Sequence, residues 1–120
     1  MYSNRGMFLS GAAFNLAVGL GLIFLLKWLQ PFLGMAPVPA NLNFLVDLTG
    51  MFICAFGVAY WLVATDFPRY RAFASFGAIC KVLVVAIVAF HFAAGYVGWQ
   101  LLALALVDLV YAVLFLKALR

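Results

Sequence analysis

Two oppositely charged side chains, Lys81 and Asp108, lie within long apolar stretches of the sequence. A charge in the hydrocarbon region of a bilayer costs roughly 2.5–3.5 kcal/mol on insertion scales, so such groups pair with one another or take part in binding or proton transfer. Lys81 lies nine residues after Ala72, and Asp108 lies ten residues before Ala118. At about 1.5 Å per helical residue, both are about 14–15 Å from the same side of a membrane. The sequence therefore predicts a Lys81–Asp108 ion pair.

Other polar side chains are predicted at the same depth. Asn15 lies eight residues into the first apolar stretch, and Tyr111 lies about one helical turn after Asp108. Tyr60 lies beside a stripe of small residues on the second stretch. Together with the charged pair, these residues are candidates for ligand binding or a proton relay. The alternative interpretation is a structural clamp that orients the helices.

A second, smaller polar group is predicted near the opposite surface. It consists of Lys27, Asp47 and His91. Asp47 lies near the start of its apolar stretch, where a helix dipole favours a carboxylate, and His91 could pair with it or respond to pH. No metal site is predicted, because one histidine and one aspartate are too few ligands. The two cysteines form no C-x-x-C pair, which excludes the membrane thiol oxidases. No catalytic residues are predicted either.

Membrane-spanning helices must position these residues, because the composition excludes a water-soluble domain. Hydrophobic residues make up 70% of the 120-residue chain and charged residues 8%, against roughly 45–50% and about 25% in soluble domains. A bilayer crossing takes about 20 mostly apolar residues, and four stretches qualify: residues 7–29, 44–65, 72–95 and 98–118. The predicted fold is an all-α polytopic membrane protein, a single domain over residues 1–120 forming an antiparallel bundle of four transmembrane helices.

The connections between the stretches carry helix-breaking residues. The proline-rich segment over residues 30–43 cannot continue a helix. Asp66 and Pro68 are predicted to end the second span and to cap the third. Residues 96–98 are short enough for a tight turn between the third and fourth spans.

The distribution of lysine and arginine predicts the orientation. If the spans alternate in direction, five cations fall on one side: Arg5, Arg69, Arg71, Lys117 and Arg120. Only Lys27 falls on the other side. Because positive residues collect on the cytoplasmic side, the sequence predicts a multi-pass membrane protein with both termini in the cytoplasm.

Little of the chain remains outside the spans. The sequence contains no phosphate-binding loop and no nucleophile motif. We therefore expect a non-enzymatic membrane component, either an accessory subunit or a binder of an apolar ligand such as a lipid or quinone. The alternative is a small oligomeric proton-coupled transporter that uses the layer of Lys81 and Asp108. The expected partner is the lipid bilayer, nucleic acid is excluded, and a membrane-protein partner or homo-oligomer stays open. No particular cofactor is indicated.

Four short motifs carry a resemblance to a known group of proteins. They are QPFLG over residues 30–34, GVAY over residues 57–60, DFPR over residues 66–69, and Gly77 four residues before Lys81. In these the chain resembles the small bacterial four-span proteins called DoxX-like, over nearly its whole length. The resemblance implies a four-helix bundle in the inner membrane. The group includes accessory subunits of membrane redox complexes. The resemblance implies no shared catalytic residues.

Overall fold

Four long helices joined by short connections make up most of the chain, as seen in a computed structural model that describes residues 2–32, 34 and 37–120. No strand occurs in these residues. The long helices are α1 (Tyr2–Phe24), α3 (Asn43–Thr65), α4 (Phe67–Ala93) and α5 (Trp99–Ala118), with a one-turn helix α2 (Leu26–Leu29) and a 3-10 turn (Ala40–Leu42) between the first two. By length and composition, all four long helices could cross a membrane.

The first predicted span is divided in the structure. Helix α1 begins at Tyr2, well before residue 7. Residues 2–6 contain no proline, and Gly6, although a poor helix former, does not interrupt the helix. Leu25 then leaves helical geometry, with φ −121° and ψ 8°, and α2 adds one further turn. The apolar stretch therefore predicted that a helix is present, but it did not predict the break at Leu25, because the residues on both sides of the break are apolar.

Helix α4 begins at Phe67, five residues before the predicted start of the third span at residue 72. The Asp66 side chain accepts a hydrogen bond from the backbone N–H of Arg69 at 3.3 Å. Pro68 lies in the first turn, where its missing N–H leaves no intrahelical bond unmade. The predicted cap is thus confirmed. It begins a first turn that the apolar stretch had excluded, and α4 is kinked after this turn at Tyr70, where φ is −105° and ψ is 17°.

A glycine turn reverses the chain between α4 and α5. Gly95 has a positive φ of +84°, a conformation that side chains with a Cβ rarely adopt. The N–H of Tyr96 donates to the carbonyl of His91 at 2.9 Å, and the N–H of Gly95 donates to the carbonyl of Phe92 at 3.0 Å. These bonds satisfy the last carbonyls of α4. The turn reverses the chain, so α5 runs antiparallel to α4.

The helices form two antiparallel hairpins, α1 with α3 and α4 with α5. Small residues let the first pair approach closely: a Cβ placed on Gly19 would lie 2.6 Å from the carbonyl oxygen of Gly50, and one placed on Gly57 would lie 3.1 Å from that of Ala12. Because α1 residues of rising number meet α3 residues of falling number, this pair is antiparallel. Tyr60 of α3 against Gly77 of α4 joins the two hairpins.

The core lies towards one end of the bundle, which we call the basic end because it carries the start of α1, the α3–α4 junction and the end of α5 with their five cations. Its buried residues are Phe8, Ala12, Tyr60, Val63, Ala64, Ala74, Ala78 and Phe115. On α4, the last buried residue is Lys81. The two hairpins are therefore tightly joined at the basic end, with more open packing from Lys81 onwards.

Large apolar side chains cover the outer surface of the helices. Phe76, Ile87 and Phe90 of α4 are 59%, 60% and 69% exposed. Exposed apolar surface of this extent is unfavourable in water and favourable against acyl chains. The surface of the fold is therefore consistent with contact with a lipid bilayer.

Candidate functional site

Lys81 and Asp108 form an ion pair at the centre of the fold. The Nζ atom of Lys81 lies 2.5 Å from Oδ1 of Asp108, and the two side chains are 4% and 19% exposed. The tight turn runs α5 back along α4, which brings Lys81, about three turns before the end of α4, to Asp108, about two and a half turns after the start of α5. The contact that the sequence predicted from matching depths is present.

Asn15 extends this pair to a third helix. Its Oδ1 accepts a second hydrogen bond from the Lys81 ammonium at 3.0 Å, while its Nδ2 donates to the backbone carbonyl of Ile53 at 3.2 Å. The amide thus joins α1, α3 and α4 through one side chain. Both polar ends of the buried Asn15 have a partner, as a polar group in an apolar interior requires.

Three aromatic rings surround the ammonium group. The Lys81 Nζ lies 5.3 Å from the ring centroid of Tyr60, 5.6 Å from that of Tyr111 and 5.7 Å from that of Phe14. At such distances the negative face of a ring attracts a cation. The Tyr111 hydroxyl donates to Ser10 Oγ at 2.9 Å, which fixes the ring. The rings and the carboxylate together stabilise a charge that could not be buried alone.

Tyr60 reaches this position because Gly77 lacks a side chain. A Cβ on Gly77 would lie 2.5 Å from the Tyr60 ring, so any larger residue would displace it. The ring also packs edge-on against Phe115, with centroids 4.8 Å apart. The structure therefore brings together all five residues that the sequence placed in the central layer: Asn15, Tyr60, Lys81, Asp108 and Tyr111.

A cavity of about 280 Å³ opens beside the ion pair, between the two hairpins. Its polar corner is formed by Asn15, Lys81 and Asp108, with Tyr60 and Cys80 beside them. Apolar side chains form the remaining wall, namely Phe14, Val18, Phe52, Ile53, Phe56, Val84 and Leu104, with Thr49 among them. The cavity can therefore offer one polar contact region to a molecule whose other surface is apolar.

The second predicted polar group does not assemble in the same way. His91 is exposed, and its Nδ1–H donates to the carbonyl of Ile87 on its own helix at 2.9 Å. Asp47 is exposed and lines a separate cavity of about 390 Å³ near Gln30 and Asn43. Within residues 2–32, 34 and 37–120, no hydrogen bond or ion pair joins Asp47 to His91. The side chain of Lys27 lies outside the described part of the chain.

The aromatic wall of the cavity was not predicted from the sequence. Phe14 lies beside the Lys81 ammonium, both Phe14 and Phe56 line the cavity, and Ser10 orients Tyr111. Helical spacing offered one signal, since Ser10 and Phe14 lie four residues apart on the same face of α1. The chain has 13 phenylalanines, and nothing in the sequence distinguished Phe14 and Phe56 from those that face outwards.

The described ranges of the chain hold no cluster of potential metal ligands and no disulfide. These residues contain no group of three or more histidine, cysteine or acidic side chains that could hold a metal ion. Cys54 and Cys80 are free thiols. The Cys54 Sγ contacts the carbonyl of Leu16 at 4.0 Å, so this residue contributes to packing between α1 and α3.

No protein-family model, curated protein or solved structure matches the chain. The central layer and its cavity are therefore the features of the chain that bear on its function.

Proposed function

We propose that the protein is a non-enzymatic membrane component that binds an apolar ligand with a polar head group, of the lipid or quinone class, in the cavity between the hairpins. The observation that carries the proposal is the composition of the cavity wall. The ion pair and Asn15 occupy one corner, and aromatic and aliphatic side chains form the rest. Sites for small molecules commonly combine an apolar lining with a few placed polar groups.

The volume of the cavity restricts the ligand. About 280 Å³ is close to the lower limit of the roughly 300–1,000 Å³ typical of small-molecule sites. Such a space holds a single ring or part of one acyl chain, and the rest of a longer ligand would extend through the open side of the cavity. The ammonium of Lys81 is the group best placed to donate a hydrogen bond to a carbonyl or hydroxyl of the head group, since it lies on the wall with its carboxylate partner.

Filling the cavity should abolish binding without unfolding the protein. Val84 lines the cavity and Val82 does not, although both lie on α4 and both are 44% exposed. Val84→Trp should weaken binding of decylubiquinone or dodecanol by about tenfold or more, because the indole ring would occupy the space. Val82→Trp is the matched control and should bind as the parent does. Native mass spectrometry of the full chain in detergent measures the bound fraction.

Equal binding by the parent and by Val84→Trp would contradict the proposal. The two probes separate the ligand classes, since only one of them carries a ring with carbonyl groups. If the parent in liposomes instead moves a solute with protons, and Asp108→Asn abolishes this flux, the proton-coupled transporter would be favoured.

We further propose that the four long helices cross the bacterial inner membrane with both termini in the cytoplasm. The grouping of five cations at the basic end supports this orientation: Arg5, Arg69, Arg71, Lys117 and Arg120. A topology reporter fused after Arg120 should be active only in the cytoplasm, and activity outside the cell would contradict the orientation. The role of an accessory subunit, and the resemblance to DoxX-like proteins on which it depends, stay predictions.

A further inference from the structure

A second cleft, at the basic end, carries three arginines on an apolar floor. It has a volume of about 790 Å³ and lies between the start of α1, the α3–α4 junction and the end of the chain. Arg5, Arg71 and Arg120 line it, each from a different part of the sequence. Buried Phe8 and Val63 form part of its floor. The cleft is distinct from the central cavity, with which it shares no lining residue.

Arg71 is held in a fixed position in this cleft. Its guanidinium donates a hydrogen bond to the backbone carbonyl of Leu119, and its Cζ lies 5.6 Å from the ring centroid of Phe67. A guanidinium has five N–H donors in a planar fork. The bond to Leu119 uses one nitrogen, so further donors remain for an anion, and the fork geometry matches the oxygens of a phosphate.

The charges of the cleft favour an anion. Asp66 is the one acidic side chain among its lining residues, and its carboxylate accepts from the backbone N–H of Arg69. In the described part of the chain the single ion pair is that of Lys81 and Asp108, which lies in the central layer. In the described residues, no carboxylate therefore forms an ion pair with the three guanidinium groups, and their three positive charges exceed the one negative charge of Asp66.

We propose that this cleft binds a phosphate group through Arg5, Arg71 and Arg120. The source is either the head group of an anionic phospholipid, whose chain would lie on the apolar floor, or a free phosphate group from solution. Basic pockets between helices at a membrane surface recognise lipid phosphates in this way. The apolar residues Phe8 and Val63 beneath the arginines favour the lipid.

A charge-matched pair of double variants tests the site. Arg5→Gln/Arg120→Gln removes two cations from the cleft, and Arg69→Gln/Lys117→Gln removes two cations from the same end that do not line it. All four residues are exposed. The full chain in a non-ionic detergent is titrated with phosphatidylglycerol in one arm and with inorganic phosphate in another. Native mass spectrometry measures the first arm and calorimetry the second.

The cleft variant should bind phosphatidylglycerol about tenfold more weakly than the parent, whereas the control should stay within about twofold. If inorganic phosphate binds and its binding is weakened only in the cleft variant, while the lipid does not bind, the site would be assigned to free phosphate. An equal loss in both variants would show general attraction to the basic end and would overturn the proposal, as would no loss in either. If the cleft variant is less stable than the parent in detergent, the single variants Arg120→Gln and Lys117→Gln are compared in the same way.

Discussion

Replacing Lys81 with methionine should lower the free energy of unfolding in detergent by about 3–5 kcal/mol, because it leaves the Asp108 carboxylate without its partner. The Asp108 side chain is 19% exposed, so water can replace the lost interaction only in part. Asp108→Leu should also destabilise the fold, since it leaves an ammonium group in an apolar interior. A denaturant titration followed by far-UV circular dichroism measures both variants.

The double variant Lys81→Met/Asp108→Leu should recover most of this loss, because neither charge then remains unpaired. Lys117→Met, which removes an exposed cation from α5, is the control and should change the free energy of unfolding by less than about 0.5 kcal/mol. Single variants as stable as the parent would show that the two side chains do not depend on each other, and the ion pair would then have no part in holding α4 against α5.

Gly19→Ala should destabilise the protein by about 1–3 kcal/mol, the usual range for overpacking. The new Cβ would overlap the Cys54 sulfur and would lie 2.6 Å from the carbonyl oxygen of Gly50. The second of these contacts is with backbone, which cannot rotate away, so α1 and α3 would have to separate. Thermal unfolding in detergent, followed by light scattering and circular dichroism, measures the effect.

Gly6→Ala on the same helix supplies the control. A Cβ at Gly6 would meet nothing within 4 Å, so this change should be neutral or should stabilise α1 by up to about 1 kcal/mol through helix propensity. The same substitution is thus expected to have opposite effects at the two ends of α1. Similar unfolding temperatures for both variants would contradict the close packing of α1 against α3.

The central layer could be predicted from the sequence because depth along a helix follows from counting residues. Lys81 and Asp108 lie at similar distances from the same side of the membrane as counted along their spans, and the tight turn between α4 and α5 holds the two helices side by side. Asp66 and Pro68 similarly fixed the start of α4 through local hydrogen bonding. These features depend on spacing and on the chemistry of one or two residues.

The remaining features depend on how the helices rotate and separate, and counting does not determine this. Asp47 and His91 have suitable depths, yet the open packing of α4 beyond Lys81 leaves no contact that would bring them together. The same open packing creates the cavity, whose wall includes Phe14 and Phe56. The break at Leu25 lies within a continuous apolar stretch, so hydropathy gave no sign of it.

The most direct test of the central claim is ligand binding by the folded double variant Lys81→Met/Asp108→Leu. We claim that the ion pair provides the polar corner of a binding cavity as well as joining α4 to α5. The free energy of unfolding of the variant should therefore be close to that of the parent. Its binding of decylubiquinone or dodecanol should be about tenfold weaker, because the donor to the head group is lost. A folded double variant that binds both probes with the affinity of the parent would contradict the claim and would leave the pair as a structural clamp.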